Sequence, residues 1–93
     1  MSKYVMCLGE NGRRRAMVRL LQRALCDALA CDGKEAIVAA VRERGLPCLI
    51  LAESPAHLSV ARRAVPQLYE AGCLSFEDFL RADHRARKAV VGG

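Results

Sequence analysis

The stretch Arg13 to Leu29, RRRAMVRLLQRALCDAL, constrains this chain more than any other part of it. Met17, Leu20, Leu21, Ala24, Leu25, Ala28 and Leu29 recur at three- and four-residue spacing, so they fall on one face of a helix. Arg15, Arg19 and Arg23 form the opposite stripe, about one turn apart. A helix of this kind buries its apolar side against the rest of the chain and keeps its guanidinium groups in water. The pattern predicts a single helix that runs on to about Cys31, where Asp32-Gly33 breaks it.

The neighbouring segments read as partners for that helix. Lys3 to Leu8, KYVMCL, is a short run that reads as a buried strand, and Gly9-Glu10-Asn11-Gly12 is a turn into the basic helix. Ala36, Ile37, Ala40 and Val41 give Gly33 to Arg44 a second apolar stripe, with Gly45 placed to end it and Asp32 placed to cap its start. Leu46 to Leu51 is continuous, apolar and too short for a helix, which makes it a second buried strand with Pro47 at its start. Ser54-Pro55 is a helix start signal; Leu58, Ala61, Val65 and Leu68 line the third helix, which Pro66 should kink or break near Val65 and Gly72 should end.

Ser75-Phe76-Glu77-Asp78 is close to a capping box and opens a last helix from Phe76 to about Lys88. Phe76, Phe79 and Leu80 face inward, while Glu77 with Arg81 and Asp83 with Arg87 have the spacing of helical ion pairs. Residues 89–93 read as a frayed tail. The order β-α-α-β-α-α over residues 1–93 predicts one small two-layer α/β domain with a short parallel sheet. Two strands leave both sheet edges unpaired, so a second copy, another protein or a third short strand around Cys73 and Leu74 should complete the sheet.

Composition narrows the function classes. With 93 residues of which 53% are hydrophobic, the chain can fill one core and not two. Tyr4, Tyr69, Phe76 and Phe79 are too few and scattered to be a stacking platform for nucleic acid. The net charge of +5 is uneven: six basic against two acidic residues precede Asp32, and the remainder is nearly balanced. That asymmetry suits an anionic partner for the first helix. The five cysteines, Cys7, Cys26, Cys31, Cys48 and Cys73, are odd in number and contain no C-x-x-C pair, which disfavours a disulfide framework and a zinc site. Free cysteines and the lack of a long apolar run at the N-terminus predict a cytoplasmic protein outside the membrane.

No motif carries a specific chemistry. The turn at Gly9, Asn11 and Gly12, backed by Arg13 to Arg15, could cradle a phosphate or nucleotide at a helix start. It matches neither the phosphate-loop nor the dinucleotide pattern, so an ordinary strand-to-helix turn is the favoured reading. His57 with Glu53, Ser54 and Ser59 is the one cluster to consider for acid, base or nucleophile work, but it lacks a nucleophile elbow. His84 among Asp83, Arg85 and Arg87 reads as solvated, and two histidines are few for a metal site. Cys26, near the arginine stripe, is the candidate reactive thiol. No catalytic residue, metal or cofactor is expected, and the chain reads as a non-enzyme.

The segment Gln67 to Phe79, QLYEAGCLSFEDF, resembles the short helical-hairpin motif found at bacterial C-termini, in which a helix ends in Ala-Gly and a Ser or Thr cap opens a second helix. The resemblance implies association or oligomerisation. The expected function is that of a non-catalytic accessory regulator or inhibitor, of the kind mobile elements carry, acting as a homodimer. Arg13, Arg14, Arg15, Arg19 and Arg23 would bind an acidic protein surface. The alternatives are sequence-independent binding of nucleic acid through the same arginines and a small phosphate or nucleotide site at the glycine turn.

Overall fold

The computed structural model describes residues 3–82. Within them the chain alternates strand and helix: β1 (Val5–Leu8), α1 (Asn11–Arg23), β2 (Ala28–Ala30), α2 (Gly33–Arg44), β3 (Leu49–Ala52), α3 (Pro55–Ala64), a 3-10 turn (Pro66–Glu70) and β4 (Cys73–Ser75). A fourth helix, α4, occupies 76–82. The four strands form one parallel sheet in the order β2-β1-β3-β4. The small α/β domain with a parallel sheet is as expected; the element order differs, because β2 falls in a stretch whose pattern reads as helix and β4 adds the third short strand offered as one way to complete the sheet.

β2 lies inside the stretch that the periodicity assigns to a single helix. α1 stops at Arg23 because Leu25 adopts φ 61°, from which the amide of Cys26 donates to the Leu21 carbonyl at 2.9 Å and that of Leu25 to the Gln22 carbonyl at 3.0 Å. This pair of bonds is the Schellman ending, usually marked by glycine at the left-handed position. Leucine there leaves no mark in the sequence. Ala28, Leu29 and Ala30 then pair with Val5, Met6 and Cys7, so inter-strand hydrogen bonding overrides the helix propensity of alanine and leucine. β4 is the third short strand suspected around Cys73 and Leu74, paired with β3 from Ile50 to Ala52.

Strand order settles where the helices go. From β1 the chain steps outward one way to β2, then returns past β1 to β3 and on to β4. Right-handed crossovers in opposite directions place α1 on one face of the sheet and α2 and α3 on the other. The core follows: Tyr4, Met6, Leu8 and Ile50 pack with Ile37, Ala40, Ala61 and Leu68 on the α2/α3 face. Val5, Cys7 and Leu51 pack with Met17, Leu21 and Phe76 on the other. Helices on both faces make three layers, a correction to the two expected.

Several local expectations hold. Gly45 ends α2 at φ 80°, and its carbonyl accepts the buried Tyr4 hydroxyl at 2.7 Å. Arg44 lies over the Tyr4 ring and pairs with Asp27, tying the end of α2 to the start of β2. Pro66 ends α3, and the 3-10 turn that follows buries Leu68 completely. Ser75 Oγ accepts the Asp78 amide at 3.0 Å and Arg81 pairs with Glu77 at 2.6 Å, so α4 starts as its capping pattern requires. The Asp83–Arg87 pair, His84 and the tail at 89–93 lie outside the described residues.

Other expectations fail for identifiable reasons. Ser54 and Asp32 flank α3 and α2 at the cap positions, but neither side chain bonds the helix amides. Each is turned instead toward a side chain at the end of the sheet. The segment resembling a helical hairpin holds a 3-10 turn and a strand in place of the first helix, so the likeness extends only to the helix that Ser75 opens. The two edge strands, β2 and β4, are three residues each. No helix among the described residues is long and apolar enough to cross a membrane.

Candidate functional site

Two surfaces gather the residues singled out by the sequence. The first is the C-terminal edge of the sheet where β1 and β3 lie side by side and their outgoing helices diverge to opposite faces. Doubly wound sheets bind their ligands at such a switch point. Here the β1 edge continues into Gly9-Glu10 and the β3 edge into Glu53-Ser54.

Gly9 is buried, and a Cβ placed on it would stand 2.9 Å from Glu53 Cβ and 3.0 Å from the Phe76 ring. Only glycine lets β1, the Glu53 side chain and α4 converge this closely. Glu53 Oε2 then accepts the Glu10 amide at 2.7 Å, and Oε1 lies 3.4 Å from Arg13 Nε. The carboxylate of Glu53 thus occupies the start of α1, where the helix dipole favours an anion. An incoming phosphate would have to displace it.

Arg14, expected with its neighbours to bind the partner, instead lies on the buried face of α1 with Met17 and Leu21. Only 7% exposed, it turns back under the glycine turn. Nη1 donates to the Gly9 carbonyl at 2.8 Å and reaches Asp32 Oδ1 at 3.4 Å, while Nη2 donates to Asn11 Oδ1 at 2.8 Å. The guanidinium fastens the β1–α1 turn to the start of α2, which explains why Asp32 does not cap its own helix. Asn11 is engaged by the same contact, and of the glycine-turn residues Gly12 alone is exposed with open space around its Cα.

A cleft of about 340 Å³ lies beside this turn, lined among others by Leu8, Asn11, Arg14, Asp32, His57 and Val60. Ser54 Oγ and His57 Nδ1 are hydrogen-bonded at 2.7 Å, and His57 Nε2 is 3.9 Å from the exposed Glu10 carboxylate. The cluster of His57, Glu53 and Ser54 is therefore brought together in part: Glu53 faces Glu10 and Arg13, not the histidine. Ser59 is exposed, one turn further along α3. No group of His, Cys, Asp and Glu among the described residues is arranged to hold a metal ion.

The thiols divide by burial. Cys7 and Cys31 are buried, whereas Cys26 and Cys48 are exposed. Burial, with the neighbouring Cys31 adding to it, pushes the Cys7 thiol up to about 12; burial pushes Cys31 up to about 11 against a lowering by Arg14. Both are held as neutral core side chains.

The second surface is the outward side of α1. Arg13, Arg15, Arg19 and Arg23 are all exposed there. Alongside them runs a groove of about 500 Å³ between α1 and α4, walled by Met17, Leu20, Phe76 and Leu80, with Arg13, Arg19 and Arg23 at its border. Leu80, expected to face inward, is 48% exposed on this groove. Sequence periodicity finds the apolar residues of α1 and of α4 separately but not that they leave a channel, because the gap depends on how the two helices diverge over the sheet.

Fold and surface together define a small doubly wound α/β domain whose switch point is closed by its own carboxylate and whose first helix carries an exposed basic row. No protein-family model, curated protein or solved structure matches the chain.

Proposed function

We propose that this chain is a non-catalytic binding module that engages an acidic protein partner through α1, acting as a regulator or inhibitor by occupying that partner's surface. The observation that carries the reading is the exposed row Arg15, Arg19 and Arg23 beside an apolar groove. Guanidinium groups at one-turn spacing pair with carboxylates in two-point fashion, and apolar surface next to them supplies the desolvated centre that a protein interface needs. A phosphate backbone has no use for that apolar wall. Tyr69, 68% exposed, is the most exposed aromatic ring among the described residues; Arg62 covers one of its faces at 4.7 Å, and a single ring is no stacking platform. The phosphate reading at the glycine turn is weakened by Glu53, which holds the Glu10 amide.

The test is a fluorescence anisotropy titration of the protein against three labelled probes at low and physiological salt. They are a Glu-rich peptide, a generic duplex DNA and a generic single-stranded RNA. The reading expects the peptide to bind and the triple variant Arg15→Glu, Arg19→Glu, Arg23→Glu to lose that binding while still folded. Tighter binding of either nucleic acid at physiological salt, with a steep salt dependence, would replace it with the nucleic-acid reading. Absence of peptide binding at low salt would end it.

A further inference from the structure

The groove between α1 and α4 has a shape and border that specify its occupant more closely than the basic row alone. The geometry points to an acidic amphipathic helix of a partner protein, lying in this groove with its apolar stripe on Met17, Leu20, Phe76 and Leu80 and its carboxylates on Arg13, Arg19 and Arg23. This inference rests on the reading of α1 as a surface for acidic protein and adds the form in which that protein is recognised.

Three observations lead there. The wall is apolar, while every charged residue at its border is an arginine, so a matching ligand is apolar along its centre and anionic along its flanks. The border arginines run from Arg13 to Arg23, about 15 Å along α1 at the helical rise, which equals roughly three turns of a docked helix. The volume of about 500 Å³ admits large side chains at i, i+3 or i+4, and i+7 but is shallow enough to leave Leu80 half exposed.

Charge decides between the possible occupants. Residues 83–93 of this chain carry Arg85, Arg87 and Lys88 against Asp83 alone, the same sign as the border they would have to approach. A second copy docking by two-fold symmetry would set one arginine row against the other. An acidic helix alone satisfies both the wall and the border.

The experiment compares two synthetic peptides of equal length and composition, about 18 residues of Leu, Ala and Glu. In one the leucines fall on a single helical face with glutamates flanking them; in the other the order is shuffled. The patterned peptide should bind at least about tenfold more tightly, the margin expected when buried anchors carry the energy. Leu20→Ala and Leu80→Ser leave the charge unchanged and should erase that margin, while Arg42→Ala, exposed on α2 across the sheet, should preserve it. Circular dichroism of each variant establishes that it is folded. Equal binding of both peptides, lost on arginine substitution, would overturn the groove and leave the basic row standing. Binding of neither would remove both. A margin that survives the two leucine substitutions in folded protein would place the patterned helix elsewhere and overturn the groove as its seat.

Discussion

The two faces of the sheet are each covered by helices, yet they are finished differently. On the α2/α3 face Tyr4, Met6, Ile37, Ile50 and Leu68 are sealed from solvent, and the Tyr4 hydroxyl reaches the end of α2 so that no polar atom on the ring is stranded. On the α1/α4 face Cys7 and Leu51 are sealed in the same way, but Leu20 is half-buried and Leu80 looks into a groove that no described residue fills. A chain with 53% hydrophobic residues has material enough to close that groove. Among the described residues the groove stays open and is bordered by arginine, which is the kind of surface the proposed interface would use.

The largest expected effect is the one most able to break this contrast. Ile37→Ala should cost about 3 kcal/mol, the range for emptying a closed core site, whereas Leu20→Ala should cost less, about 1.5 kcal/mol, because Leu20 is only partly buried and borders the open groove. Urea unfolding measures both. Equal losses would make the groove wall an ordinary core.

A second contrast lies within α1, between neighbouring arginines on different faces of the helix. Arg14→Ala removes charged hydrogen bonds from a buried turn and should destabilise by about 2 kcal/mol, while Arg15→Ala should stay within about 0.5 kcal/mol. If thermal unfolding showed no difference, the Arg14 tie to Gly9, Asn11 and Asp32 would be dispensable.

The buried thiols sharpen the comparison by pH. Cys7 faces α1 and Cys31 faces α2 and α3, and both titrate higher when folded, at about 12 and about 11, than the usual 9.0. The unfolded chain therefore releases these protons first, so stability is intact below pH 9 and falls as pH rises from there toward the folded values. In alkylation at neutral pH, Cys26 and Cys48 should react in the folded protein and Cys7 and Cys31 only on unfolding. Rapid modification of Cys7 or Cys31 would show that face to be breached.

The smallest effect is a gain. Leu25 is 95% exposed and held at φ 61°, where a side chain is strained and nothing apolar is buried in return. Leu25→Gly should stabilise by about 0.5–1 kcal/mol in the same urea series. A loss would mean that the leucine has a contact in the folded state.

What was legible in the sequence was local. α2 runs from Gly33 to Arg44 as its stripe and Gly45 predict, α3 ends ahead of Pro66, and Ser75 opens α4, because periodicity, a glycine ending, a missing amide and a cap each act within a turn of chain. Most of the basic row was legible for the same reason. The end of α1 was not: its Schellman ending uses leucine in place of glycine, and Ala28 to Ala30 is a strand only because β1 lies beside it with free hydrogen-bonding groups. The switch-point closure was equally hidden, since Gly9, Glu53 and Phe76 are far apart in sequence and meet only once β1, β3 and α4 are in place. Amino-acid order by itself determined the helices, their ends where a marker residue stands, and the sign of the exposed charge. Tertiary structure decided that the buried arginine reaches Asp32, which alanines pair as a strand and where apolar side chains leave a groove, because each of these depends on groups that the chain brings together from a distance.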